Sequence, residues 1–227
     1  MYHSTKIFTS ACALVTLLTG AALLTASAAR MPMNIRGTIV SETATNLVVK
    51  TAGGPVSVNL IPKTGYAGAT TGSMADIKPN TFLGIASVPG GTTSKALEVA
   101  VFPESMRGVG EGDYGWDLKA GGAHSMMTNG SVAMGANRTH SMMTNGSASM
   151  MTNGTASKMG GTTITMKYKG GSRVITIPPN ASIVKLAPGS KKLLAVGAHV
   201  FVIPKKTPQG TVGVFVVVGE NGAIPPM

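Results

Sequence analysis

Residues 124–158 read HSMMTNGSVAMGANRTHSMMTNGSASMMTNGTASK, and with Met159 this stretch holds eight of the fifteen methionines in the 227-residue chain. Thioether sulfur is a soft, uncharged ligand suited to Cu(I) or Ag(I), and imidazole binds copper in either oxidation state. His124 and His140 each precede a Met-Met pair as His-Ser, so each cluster offers one nitrogen and two sulfurs within four residues. The candidate metal ligands are therefore His124, Met126, Met127, His140, Met142 and Met143, with Cu(I) the ion they suit. The tract has a second reading. Met126, Met134, Met142 and Met150 recur every eight residues, giving MMTNGSVA, MGANRTHS, MMTNGSAS and MMTNGTAS. An octad copied by slippage multiplies whatever methionine it contains, and its Asn-Gly step favours a tight hairpin turn. On that reading the tract is a flexible or hairpin-forming repeat with no metal role.

The second candidate site is FPESMRGVGEGDYGWDLKAGG, residues 102–122. It gathers Glu104, Glu111, Asp113 and Asp117, four of the chain's eight acidic residues, with Arg107 and the only tryptophan, Trp116. Clustered carboxylates suit an oxygen-liganded hard cation, and an exposed indole suits a sugar face. The structural alternative is an inter-domain bridge in which Glu104 or Asp117 pairs with Arg107 and Trp116 covers a barrel end.

The elements that must position these residues read as strands. IRGTIVS, NLVVKT, PVSVNL, FLGIASV, ALEVAVF, TTITMKY, RVITI, HVFVI and GVFVVV are short, β-branched and bounded by Gly, Pro, Asn or Ser. Nothing after residue 30 holds a helical period for three turns. Sliding the chain on itself by 117 residues lays Lys50-Thr51-Ala52-Gly53-Gly54 on Lys167-Tyr168-Lys169-Gly170-Gly171. Val58 meets Ile175, Leu60 meets Ile177, Pro62 meets Pro179, and Val99 and Val101 meet Val216 and Val218. Gly37-Thr38 falls on Gly154-Thr155. An ungapped register carrying turn glycines and apolar alternation together points to duplication.

The expected fold is all-β, with two tandem duplicated small β-barrels of five or six strands each, following a signal peptide and joined by a Gly-rich loop and the Met/His octad repeat. The expected layout is signal peptide 1–28, first barrel 29–103, acidic loop and repeat linker 104–149, second barrel 150–222 and tail 223–227. The last octad, from Met150, is expected to be the first strand of the second barrel, and 126–149 to lie outside both.

Lys6 precedes the apolar run IFTSACALVTLLTGAALLTA, and Ala26-Ser27-Ala28 offers the small residues that signal peptidase accepts. A cleaved signal and a periplasmic or secreted location are expected, with an uncleaved anchor as the alternative. No later segment is long and apolar enough to span a bilayer as a helix. The sole cysteine, Cys12, lies inside the signal, so disulfides and thiolate sites are excluded from the mature chain. Removing Lys6 leaves 18 basic against 8 acidic side chains, which favours an anionic envelope surface or polysaccharide over nucleic acid as partner.

FPESMRGVGEG with WDL and SMMTNGSV, behind ALEVAVF and the turn ADIKPN, resembles a family of small secreted bacterial β-barrel domains of unknown function. Some of its members are labelled as metal-transporter components. The resemblance implies an accessory or binding role in the periplasm. Catalysis is not expected. The only histidine inside an expected barrel, His199, falls opposite Phe82 at a strand start, and no Gly-x-Ser-x-Gly elbow, His-x-x-x-His or framed carboxylate pair is present.

Overall fold

The computed structural model describes residues 33–90, 93–133, 138–139 and 161–225. Among these residues the regular elements are strands and three single 3-10 turns. The first six strands are β1 (Ile35–Glu42), β2 (Asn46–Thr51), β3 (Gly54–Asn59), β4 (Gly65–Thr71), β5 (Phe82–Gly90) and β6 (Thr93–Val101). The next three are β7 (Gly112–Ala120), β8 (Ala123–Val132) and the two-residue β9 (Arg138–Thr139). The last five are β10 (Thr162–Tyr168), β11 (Gly171–Ile177), β12 (Ser182–Pro188), β13 (His199–Thr207) and β14 (Gly210–Gly219). The alternation that predicts strands is the alternation they bury: Leu47 and Val49 in β2, and Ile164 and Met166 in β10, point inward, with polar residues between.

β1, β2 and β3 pair in sequence order, β1 also pairs with β13, β13 with β14, and β14 meets β3 at Val212↔Asn59. This closes a five-stranded barrel around Ile39, Leu47, Val49, Val58, Val202 and Val216. A second run of pairings returns on itself as β5–β6–β11–β10–β8–β5. It encloses Leu83, Ile85, Val99, Val132, Ile164, Met166 and Ile175. β4 and β12 lie against each other with Ala69 opposite Leu186, and each continues the sheet, β4 along β14 and β12 along β6. A third core fills the junction, with Ala67, Ala69, Phe82, Phe102, Leu186 and Phe201.

The hydrogen bonds do not follow the expected grouping of 29–103 and 150–222 into separate barrels. β1–β3 close with β13 and β14, while β5 and β6 close with β10 and β11. Alternation tells which face of a strand is buried. Which edges meet it leaves open, and here the small side chains of β4, Ala67 and Ala69, allow β12 to run close alongside.

The octads bring a second difference. Thr38 of β1 is paired with His199 and Lys50. Ser131 of β8 is paired with Phe82 and Lys167, the residues 117 positions away from those two. β8 thus stands where a second β1 would stand. The first octad fills this place rather than the last, an offset of 93 that falls three octads short of 117. Residues 150–155 lie outside the described residues. Part of the physical reason is position seven of the octad, where Val132 is 2% exposed in the core while the other two MMTNG copies carry Ala148 and Ala156.

Candidate functional site

The segment expected to be an acidic loop contains a strand. In β7 the order Asp-Tyr-Gly-Trp-Asp alternates, and the strand pairs with β8 from Gly112↔Asn129 to Ala120↔Ala123, around a turn with positive φ at Gly121 and Gly122. Four glycines within 108–115 masked this alternation. The apparent loop is a hairpin arm laid across the junction.

Each loop carboxylate has its own partner. Glu104 takes Arg107 Nε at 2.6 Å, and Arg107 also donates to Ser131 Oγ and to the Asn80 carbonyl, both at 2.8 Å. Glu111 accepts the Lys169 backbone N–H at 3.1 Å. Asp113 accepts from Thr128 Oγ1 at 2.7 Å and is paired with Arg173 of β11. Asp117 accepts both terminal nitrogens of Arg36, at 2.7 and 3.0 Å, and the Asn34 backbone N–H at 2.7 Å. β7 is therefore pinned at one end to β11 and at the other to β1. Burial pushes the Asp117 carboxyl up, but hydrogen bonds and charge from Arg36, with those from Asn34, outweigh it and hold the group below the usual carboxylate range. Hydrogen bonding to Arg107 lowers Glu104 as well. With their oxygens committed to four cations or amides at separate points, these side chains form no common cation cage. Among the described residues no three His, Cys, Asp or Glu gather in metal-binding geometry.

Of the metal candidates, His124 is exposed at the start of β8, Met126 is half-buried and Met127 is 1% exposed. Successive strand residues face opposite ways, so the two sulfurs point to different sides of the sheet. Met127 is core, and His124 with Met126 is what remains of this cluster for an ion. His140, Met142 and Met143 lie outside the described residues. His199 opens β13 opposite Thr38.

The feature that sequence reasoning missed lies on the other face of β7. Trp116 sits 6.1 Å from Tyr114 and 6.1 Å from Phe201, whose ring carries the Arg36 guanidinium at 5.2 Å. Beside this stack is a cleft of about 280 Å³ lined by Phe102, Tyr114, Trp116, Met127, Leu186 and Phe215, with Val109, Ile203 and Val214 at its margin. Tyr114, Val109, Ile203 and Val214 are four of the ten large apolar residues that are exposed among the described ones. Burial raises the Tyr114 hydroxyl's pKa, keeping it neutral, and it accepts from Asn129 Nδ2 at 3.2 Å. Among the described residues Trp116 Nε1 is buried with no hydrogen-bond partner, an uncommon state for an indole N–H. The alternation of Tyr114 and Trp116 against Asp113 and Asp117 was the available signal.

No protein-family model matches the chain, and neither a curated protein nor a solved structure matches it. Among the described residues no helix is long and apolar enough to cross a membrane.

Proposed function

We propose that this is a non-catalytic, exported binding protein built from two copies of one strand unit, and that its ligand is a compact apolar or aromatic group held in the cleft at Tyr114 and Trp116. The observation that carries the binding reading is the convergence of four exposed large apolar side chains on one concavity that Trp116 also lines, with walls from strands distant in sequence. Apolar walls with a few polar groups are the usual make-up of small-molecule sites. Export rests on the amino-terminal Lys6, apolar run and Ala-x-Ala of the sequence. The net charge of +11 favours ligands that also carry an anionic group.

Duplication is supported by the strand register. Val212↔Asn59 and Lys95↔Thr176 are the same pair moved by 117, as are Phe215↔Gly65 and Glu98↔Ser182. The β-bulges after Ala86 and after Ile203 also differ by 117. On this reading the two pairing circuits are two barrels that exchange strands, with Ala69 and Leu186 meeting on the axis that relates them.

The sole tryptophan makes the site its own reporter. Titration with 8-anilinonaphthalene-1-sulfonate, an apolar anion, should show energy transfer from Trp116 with saturation at one site. Val214→Asp, at a position 45% exposed, should abolish it without changing the melting midpoint. Equal binding by the variant, or none by either protein, would dismiss the cleft. Copper binding by the tract stays a reading of the sequence alone. It would have to draw on His140, Met142 and Met143 together with the exposed His124.

A further inference from the structure

The slot filled by β8 reads its occupant residue by residue. Met127 is buried in it; Thr128 Oγ1 donates to Asp113; Asn129 Nδ2 donates to the Gly110 carbonyl at 3.1 Å; and Ser131 Oγ accepts from Arg107. Gly130 meets the strictest demand, since a Cβ there would be driven into the backbone carbonyl oxygen of Lys167. Gly37 of β1 is held in the same way against Lys50, the residue 117 positions before Lys167. The slot therefore specifies Met-Thr-Asn-Gly followed by a hydroxyl.

The chain carries that specification three times. Residues 143–147 read MTNGS and 151–155 read MTNGT, the threonine keeping the hydroxyl and matching Thr38 of β1. The second octad fails it, because Gly135 takes the place of Met127 and Arg138 the place of Gly130. His140-Ser141 also repeats His124-Ser125, so the residues leading into the strand are the same in both registers.

We propose that the groove between β5, β7 and β10 is a binding site for the octad itself, and that residues 142–147 are a reserve occupant which enters it when 126–131 cannot. The move displaces the two-residue β9 from β10, where Gly154-Thr155 stand sixteen residues on to replace it, and two further terms keep the first copy in place. Moving to 142–147 opens the tight β7–β8 turn by sixteen residues while shortening the connection to β10, a loop-closure cost of about tenfold in the equilibrium. It also puts Ala148 where Val132 fills the core, a loss of two buried methyl groups and so about 30-fold. The reserve register is thus about 300-fold less populated in the unaltered chain. A side-chain clash with the Lys167 carbonyl costs more than that, so it inverts the preference. β1 has no spare copy.

The test is a set of valine variants in a Cys12→Ser background. Gly37→Val should leave no cooperative unfolding transition, and Gly130→Val combined with Gly146→Val and Gly154→Val should do the same. Gly130→Val alone should still fold, with its folding constant lowered by no more than about 300-fold. Adding Ala148→Val to Gly130→Val should recover about 30-fold, while Ala148→Val alone should change nothing. Register is read by disulfide formation, because Gly115 and Met126 are direct cross-strand partners. Gly115→Cys should cross-link to Met126→Cys in the otherwise unaltered background and to Met142→Cys once Gly130→Val is present. If Gly130→Val is as damaging as the triple variant, or if it folds and still cross-links only through position 126, the octads are not interchangeable and the proposal falls.

Discussion

β1 and β8 occupy matching places and meet the same steric demand with the same residue, but differ in the side chains they turn to their surroundings. Residue for residue, Ile35, Arg36, Gly37, Thr38 and Ile39 stand where Thr128, Asn129, Gly130, Ser131 and Val132 stand in the other circuit. Where the strand presses on a neighbouring backbone both have glycine, and two residues on both bury a β-branched apolar residue, Ile39 at 1% and Val132 at 2% exposure, while the buried Ile35 is matched by the buried Thr128. They part at the residues that meet the β7 arm. Arg36 clasps Asp117 with two hydrogen bonds, whereas Asn129 reaches the Gly110 carbonyl and the Tyr114 hydroxyl through one amide. The glycine and the apolar residue two positions on agree in both places, and the residues that meet the β7 arm differ.

Five substitutions break or sharpen this comparison, the most damaging first. Gly37→Val forces a side chain into the Lys50 carbonyl and should cost about 4 kcal/mol or more, seen as loss of the transition in urea denaturation. Asp117→Ala removes a half-buried bidentate acceptor and should cost about 2–3 kcal/mol, more than Asn129→Ala, at about 1–2 kcal/mol, does on the β8 side. Comparing the two midpoints checks which end of β7 is held harder.

Acid should loosen the β1 end of the β7 arm. The Asp117 carboxyl is lowered by folding, so its stabilisation is complete above the unfolded value of about 3.9 and is lost as pH falls through the lower folded value. Midpoints measured from pH 6 down to pH 2 should fall less steeply in Asp117→Asn than in the unaltered protein. At the mild end, Glu104→Gln removes an exposed partner of Arg107, which keeps Ser131 and the Asn80 carbonyl, and the melting midpoint at neutral pH should not move measurably.

Strand positions were legible because alternation and turn glycines are local signals, and the 117-residue register was legible because both survive in each half. Pairing partners were not. Nothing in IRGTIVS says that its edge belongs to HVFVI rather than to FLGIASV, since both offer the same apolar faces. The β7 arm was hidden by its own glycines, which resemble a loop until Tyr114 and Trp116 are seen to alternate with Asp113 and Asp117. The sequence left Glu104 and Asp117 both open as partners of Arg107; the near one takes it, while the Arg36–Asp117 pair spans 81 residues and had no local signature.

The pairing of strands distant in sequence also dictates when the molecule can come into being. β1, β2 and β3 lack their closing neighbours until β13 and β14 exist, and β5 and β6 wait for β10 and β11. A growing chain therefore presents open hairpins whose unpaired edges and apolar faces stay unsatisfied throughout its synthesis. Contacts between such distant segments close slowly, because chain entropy is lost before burial repays it. Folding is deferred to the end of the polypeptide, so a polypeptide threaded through a narrow pore would pass as extended chain and become a protein on the far side.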